Sequence, residues 1–238
     1  IMIGLFCART LHKRRIQWLT QLVLSVSFLA FVIPSSVASL GIVAVWGRTG
    51  IVGGLNLGVE PFGLWMVILA HIFFNAPLVI RICFSVLNSQ PDFYWKLAAQ
   101  NKISPLETFI KIECPVLIPL IIPLFSIIFL LCFTSFSIVL MLGGGPSVTA
   151  LEVSIYHAVR FNYDLPLAAI LSVVQIFICS AIILLSKPLP FNVMAPVQKN
   201  NDVTLRNDNM SFLSIFFDFF WVIGFIIFVL LPLIALFF

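Results

Sequence analysis

The sequence predicts an all-α polytopic membrane protein, and three observations carry that prediction. The first is composition: 61% of the 238 residues are hydrophobic, 9% are charged, and Phe alone contributes 25. Soluble domains average about 45–50% apolar and about 25% charged residues. Thirteen basic and nine acidic side chains cannot cover the apolar surface that a mean hydropathy of +1.16 implies. The second is run length. The apolar stretches match the ~20 residues that a helix needs to cross a hydrocarbon core of ~30 Å. The third is that basic residues gather in alternate connections between these stretches. Together they exclude a soluble enzyme, a disordered tail and a secreted disulfide scaffold. A membrane β-barrel is excluded as well, because its strands alternate apolar and polar residues over ~10 positions.

Each element follows in order. Residues 1–15 read as the tail of a preceding helix, Ile1 to Ala8, and a compact basic loop holding Arg9, His12, Lys13, Arg14 and Arg15. Residues 16–186 read as a core of four membrane spans. The first runs from about Ile16 to Val45, and a Gly-rich loop from Trp46 to Pro61, with Arg48 and Glu60, follows it. The second runs from Phe62 to Leu87, and the third from Pro115 to Leu142. Gly143-Gly144-Gly145-Pro146 ends the third as a turn; it lacks the Lys-Ser/Thr of a phosphate-binding loop. Thr149 to Phe161 reads as an amphipathic surface helix, and Pro166 to Ser186 as the fourth span. Residues 187–211 are a polar Pro/Asn/Asp-rich linker, and 212–238 begin a further apolar span. The expectation is a piece of a longer chain, opening on Ile1 and closing on Leu236-Phe237-Phe238 within an apolar run.

Charge sets the expected orientation. Placing the Lys13 segment in the cytoplasm sends Arg9, Lys13, Arg14, Arg15, Arg81, Lys96, Lys102, Lys111, Lys187, Lys199 and Arg206 to inner connections, and leaves only Arg48 and Arg160 outside. Trp18, Trp46, Trp65 and Trp221 fall near span ends, where indole rings prefer to sit. Trp95 falls in an inner connection.

That connection, residues 88–114, carries the best-formed local signals. Ser89-Gln90-Pro91-Asp92 reads as a helix start, with Ser89 as N-cap and Asp92 at N3, for a helix to about Gln100. Ser104-Pro105-Leu106-Glu107 reads as a second start, with N-cap serine, N1 proline and N3 glutamate in register. Its helix is expected to end near Glu113, before Pro115. Two short helices meeting near 101–104 form an elbow, which serves either as a connector or as a docking element for a soluble partner.

The same stretch resembles the coupling loop of ABC-transporter permeases, whose pattern is E-A-A-x-x-x-G, then nine residues, then I-x-x-P. Lys96, Leu97 and Ala98 fall at the E-A-A positions, Lys102 at the glycine, and Ile112 and Pro115 at the last two. The sequence keeps Ala98, Ser104, Pro105, Ile112 and Pro115, and departs at Lys96, Leu97 and Lys102. Lys102 must therefore turn the chain without glycine's freedom.

Further segments extend the resemblance over nearly the whole chain, toward the permeases of thiamine-type ABC importers. They are Trp46-Gly47-Arg48-Thr49-Gly50, Ala70-His71-Ile72-Phe73-Phe74-Asn75, Lys96 to Gln100, Leu131 to Phe136, and Leu142 to Pro146 with Glu152, Tyr156, Tyr163 and Asp164. The family implies a helical bundle of the ABC importer permease type in the bacterial inner membrane. It implies most of a first half, an inter-half linker and the first span of a truncated second half. It implies import of thiamine or its phosphate esters by alternating access, with no chemistry and no cofactor in this subunit. The implied partners are a cytoplasmic ABC ATPase dimer, which hydrolyses ATP and docks on Lys96, Leu97, Ala98, Lys102, Ser104, Pro105, Leu106, Glu107, Ile112 and Pro115, a periplasmic substrate-binding protein and the second permease half. No nucleic acid is expected. Iron and polyamine importers share such an elbow and remain alternatives for the cargo.

Other residues have two readings each. His71 and Asn75, one helical turn apart, either line a translocation path or hydrogen-bond between helices. Arg81, nearer the inner end of the same span, reads as snorkelling. Glu152, Tyr156 and Arg160 either mark an interfacial helix or contact the binding protein. The scattered Cys7, Cys83, Cys114, Cys132 and Cys179 read as isolated apolar side chains and imply no metal site. An intramembrane enzyme, the reading from another class, needs facing polar groups at one depth, and only His71 with Asn75 offers them. A passive channel leaves the elbow's two helix starts unexplained.

Overall fold

A computed structural model describes residues 1–48, 50–51, 62–145, 148–186 and 212–236 of the chain, and the regular structure among them is helical throughout. The all-α expectation holds. The loop positions Thr49 and 52–61, Pro146 and the linker at 187–211 lie outside the described residues.

Helix α1 covers Met2–Arg14. The basic loop expected at residues 9–15 is therefore corrected: those side chains ride on the last turns of a helix that ends with Arg15 at φ 51°. The expected first span is also corrected. It consists of α2 (Gln17–Val32) and α3 (Ser35–Trp46), bent by 111°. Proline drives the residue before it out of the helical region, so Ile33 ends α2, and Pro34 at φ −56°, ψ 139° caps α3. Helix α4 (Leu64–Asn88) takes the second span and tolerates Pro77 within it.

Helices α5 (Asp92–Gln100) and α6 (Pro105–Thr108) form the elbow. Here a further correction applies. The second arm does not stop before Pro115 but continues through a wide π turn, Phe109–Glu113, into α7 (Cys114–Phe133), one helix from Pro105 to Phe133. The Cys114 N–H reaches back to the Phe109 carbonyl. This register shift falls immediately before Pro115, whose ring has no N–H to continue an α ladder. The expected third span is cut at Thr134-Ser135, where Thr134 Oγ1 donates to the Leu130 carbonyl at 2.9 Å and Ser135 Oγ to that of Cys132 at 2.8 Å. A separate short α8 (Phe136–Leu142) follows. Gly144 and Gly145 then turn at φ 74° and 102°, a region where a Cβ is unwelcome.

Helix α9 (Leu151–Arg160) precedes α10 (Leu165–Leu185), whose start is fixed by the Asp164 carboxylate accepting the Leu167 N–H at 2.9 Å. Helix α11 is Phe212–Ala235. Among the described residues, four helices can cross a membrane by length and composition, Leu64–Asn88, Pro105–Phe133, Leu165–Leu185 and Ser214–Ala235, with α2–α3 a fifth if the bent pair is one span.

The chain divides into two compact units. The first comprises Ile1–Phe28, Ala76–Leu124 and Pro188–Ile227, the last described from residue 212. In it Phe6 stacks on Trp221 at 5.2 Å, and Cys7 Sγ donates to the Trp221 carbonyl at 3.2 Å. A Cβ on Gly4 would meet Val79 Cβ at 2.6 Å, so glycine permits α1 to approach α4. The second comprises Leu29–Asn75, Phe125–Lys187 and Phe228–Phe238. In it Trp46 and Phe73 both pack on Phe228, at 5.8 and 6.4 Å.

Candidate functional site

The elbow is built by two local devices. The first closes α5. Lys102 N–H donates to the Ala99 carbonyl at 3.2 Å and Ile103 N–H to that of Ala98 at 3.1 Å. This pair of bonds around a left-handed residue is a Schellman cap. Lys102 occupies the left-handed position at φ 49°, as its place at the glycine of the coupling-loop pattern demands. The second device opens α6 as a complete capping box. Ser104 Oγ accepts the Glu107 N–H at 3.3 Å, and the Glu107 carboxylate accepts the Ser104 N–H at 3.2 Å. Lys111 Nζ adds an exposed bond to Glu107 at 3.1 Å.

At the other end of α5 the expectation is corrected. Pro91 is the N-cap and Asp92 the first helical residue. Ser89 instead closes α4, with its hydroxyl on the Val86 carbonyl at 2.9 Å.

The turn leaves apolar side chains in the open. Leu106 is 68% and Phe93 65% exposed, and Tyr94, Leu97 and Ile110 are exposed as well. Lys96, Lys102, Ser104, Pro105 and Glu107 surround them at the surface, as does Pro115 farther along the helix, while Ile112 is half-buried. Ala98 and Trp95 face inward. The elbow thus presents apolar side chains on a rigid backbone, the makings of a docking surface.

His71 and Asn75 do lie together on α4. Asn75 Nδ2 donates to the His71 carbonyl at 2.8 Å and lies 3.5 Å from Cys132 Sγ, and Ser135 Oγ sits 3.2 Å from His71 Nε2. Asn75 therefore contacts the end of α7, and His71 the break between α7 and α8. On α9, Gln175 Nε2 donates to Glu152 at 2.9 Å, which ties α9 to α10. Tyr156 packs edge-on against Phe136 at 5.1 Å, and Arg160 is exposed. Arg81 lies 6.0 Å over the Phe28 ring.

Sequence reasoning missed the charged contacts of α1. Arg9 Nε donates to Glu113, and its guanidinium lies 4.8 Å over the Phe109 ring. Lys13 Nζ donates to Asp218 at 3.0 Å and also to Ser214 Oγ. Arg14 donates to the same Asp218 oxygen from Nε at 2.9 Å and Nη2 at 2.6 Å. His12 stacks against Trp95 at 4.8 Å. One signal pointed here: Glu113 and Asp218 stand alone in apolar surroundings, where an acid is expensive unless paired.

The family model for the binding-protein-dependent transport system inner membrane component matches residues 1–238. The chain is similar to the thiamine transport system permease protein ThiP of Escherichia coli (strain K12), 38% identical over 195 residues, which cover 79% of this chain and 36% of that protein. The Haemophilus influenzae protein of the same name is 34% identical over 221 residues, 89% of this chain and 39% of that protein. A probable sulfate transport system permease protein, cysT of Prototheca wickerhamii, is 31% identical over 169 residues, 66% of this chain and 63% of that protein. The chain spans between a third and two fifths of the length of these thiamine permeases. With a family match that runs from Ile1 to Phe238, and helices of the length and apolarity that a multi-pass membrane protein needs, the chain belongs to the binding-protein-dependent transport system inner membrane component family.

Proposed function

We propose that this chain is the permease part of an ATP-driven importer in the bacterial inner membrane, carrying thiamine or its phosphate esters into the cytoplasm by alternating access. The observation that carries the reading is the elbow: a capped turn with Leu106 and Phe93 exposed, in the stretch whose sequence resembles the coupling loop of ABC-transporter permeases. On this reading a cytoplasmic ATPase dimer docks on Lys96 to Ile112 and hydrolyses ATP, and the permease holds no catalytic group. The distribution of basic residues supports a cytoplasmic elbow by the positive-inside rule.

The remaining roles follow from that orientation. Helix α9, with Tyr156 and Arg160 exposed, faces the periplasm and meets the binding protein. Glu152 braces it through Gln175. His71 and Asn75 stand beside the translocation path, positioned by Ser135 and Cys132. A second permease half completes the pathway. The thiamine cargo is supported by the resemblance to the thiamine permeases.

Uptake of labelled thiamine tests the reading, in cells that carry the intact gene as their only candidate thiamine permease. Sulfate, iron and polyamine are measured in parallel. Thiamine uptake that depends on the gene is the expected result. Uptake of another of these cargoes, with none of thiamine, contradicts the assignment.

A further inference from the structure

Both arms of the elbow and the distant α11 converge on one stretch of α1. Arg9 holds the second arm of the elbow twice, through an ion pair to Glu113 and by stacking on Phe109, residues four apart on the π turn. Glu113 is 0% exposed. His12 holds the first arm by packing on Trp95, itself buried. Within the next turn, Lys13 and Arg14 hold Asp218 of α11, and Lys13 also bonds Ser214 one turn before it. All of these residues lie in the first compact unit.

We propose that α1 is the rod through which movement of the elbow reaches α11, with Arg9–Glu113 as its joint; the inference rests on the importer reading above. The physical argument is one of cost. A buried carboxylate that leaves its cation loses a large part of what compensates its desolvation. When a docked ATPase displaces the elbow, Glu113 carries Arg9 with it. Four residues on, a rigid helical turn delivers that displacement to Lys13 and Arg14, and so to Asp218. Contacts of this kind have discrete partners, so they move together or break, rather than stretching continuously. Arg9, Glu113 and Asp218 are positioning residues on this reading, since they act through α1.

A merely structural role makes a different forecast. A buried ion pair replaced as a whole by apolar residues of similar volume is often neutral for stability. The full-length permease is therefore reconstituted in proteoliposomes with its ATPase and loaded binding protein. Three variants are compared: Glu113→Gln, the apolar pair Arg9→Leu with Glu113→Met, and the exchanged pair Arg9→Glu with Glu113→Arg. ATPase co-purification, ATP hydrolysis and labelled-thiamine uptake are read together.

The expected result is that the first two variants keep the ATPase and its basal hydrolysis. Their thiamine uptake per ATP hydrolysed falls about tenfold, the size of a typical coupling between sites, while the exchanged pair restores most of it. The proposal is overturned if the apolar pair transports within about twofold of the unsubstituted protein, a change too small for such a coupling. It is equally overturned if the apolar pair loses the ATPase, since Arg9 and Glu113 would then shape the docking surface itself. If the unsubstituted protein neither holds the ATPase nor takes up thiamine, the importer reading falls and the rod falls with it; that failure is visible before any variant is made.

Discussion

The two compact units hold themselves together by different chemistry. The first relies on buried charge: Arg9 on Glu113, and Lys13 with Arg14 on Asp218. The second relies mainly on neutral contacts, such as Ser135 with His71 at 3.2 Å, Asn75 with Cys132 at 3.5 Å, and the ring packing of Phe136 on Tyr156. Its carboxylate Glu152 takes an amide partner rather than a cation. The difference is one of tolerance. A buried ion pair exacts a large penalty when one member is lost. Neutral hydrogen bonds between apolar helices contribute about 0.6 kcal/mol on average, so their loss is easily absorbed. The unit that carries the elbow is thus the one whose geometry is most strictly specified.

Substitutions should rank accordingly. Asp218→Ala removes the buried carboxylate that Lys13 and Arg14 share and should lower stability by about 3–5 kcal/mol, measured by thermal unfolding of the solubilised protein. Within the first unit the elbow offers a finer scale. Lys102→Gly relieves a left-handed backbone position and should gain about 1 kcal/mol, seen as slower amide exchange across α5. Ser104→Ala removes the N-cap of α6 and should cost about 1 kcal/mol, with faster exchange confined to residues 104–108. Asn75→Ala, in the second unit, should cost least, about 0.6 kcal/mol in the same unfolding assay. An Asn75→Ala loss as large as that of Asp218→Ala would erase the contrast between the units.

Local signals in the sequence proved readable where the cause is local. The Ser104 capping box needs only residues 104–107, and it stands as read. Lys102 at a left-handed turn is what the resemblance to the coupling-loop pattern implies, since Lys102 stands at that pattern's glycine, and no distant contact is involved. The apolar runs gave the helices, because lipid demands an internally bonded backbone. Errors came where a proline or a distant partner decides. Pro34 bends the first run by 111°, while Pro115 is absorbed by the π turn ahead of it, and composition does not separate the two cases. The basic stretch at 9–15 looked like a loop because charge normally ends an apolar segment. It is helical and partly buried because Glu113 and Asp218, remote in sequence, neutralise it. Ser89 was misplaced by a similar ambiguity: its hydroxyl serves the helix behind it rather than the one ahead.

The most direct test addresses the elbow as a docking surface. The full-length protein, solubilised in detergent, is co-purified with its candidate ATPase, with and without Leu106→Asp. Leu106 is exposed and makes no part of the capping box, so the change leaves the fold intact while setting a charge in the middle of the apolar face. The account predicts that the ATPase is retained by the unsubstituted protein and released by the variant. An ATPase held equally by both, or by neither, contradicts it.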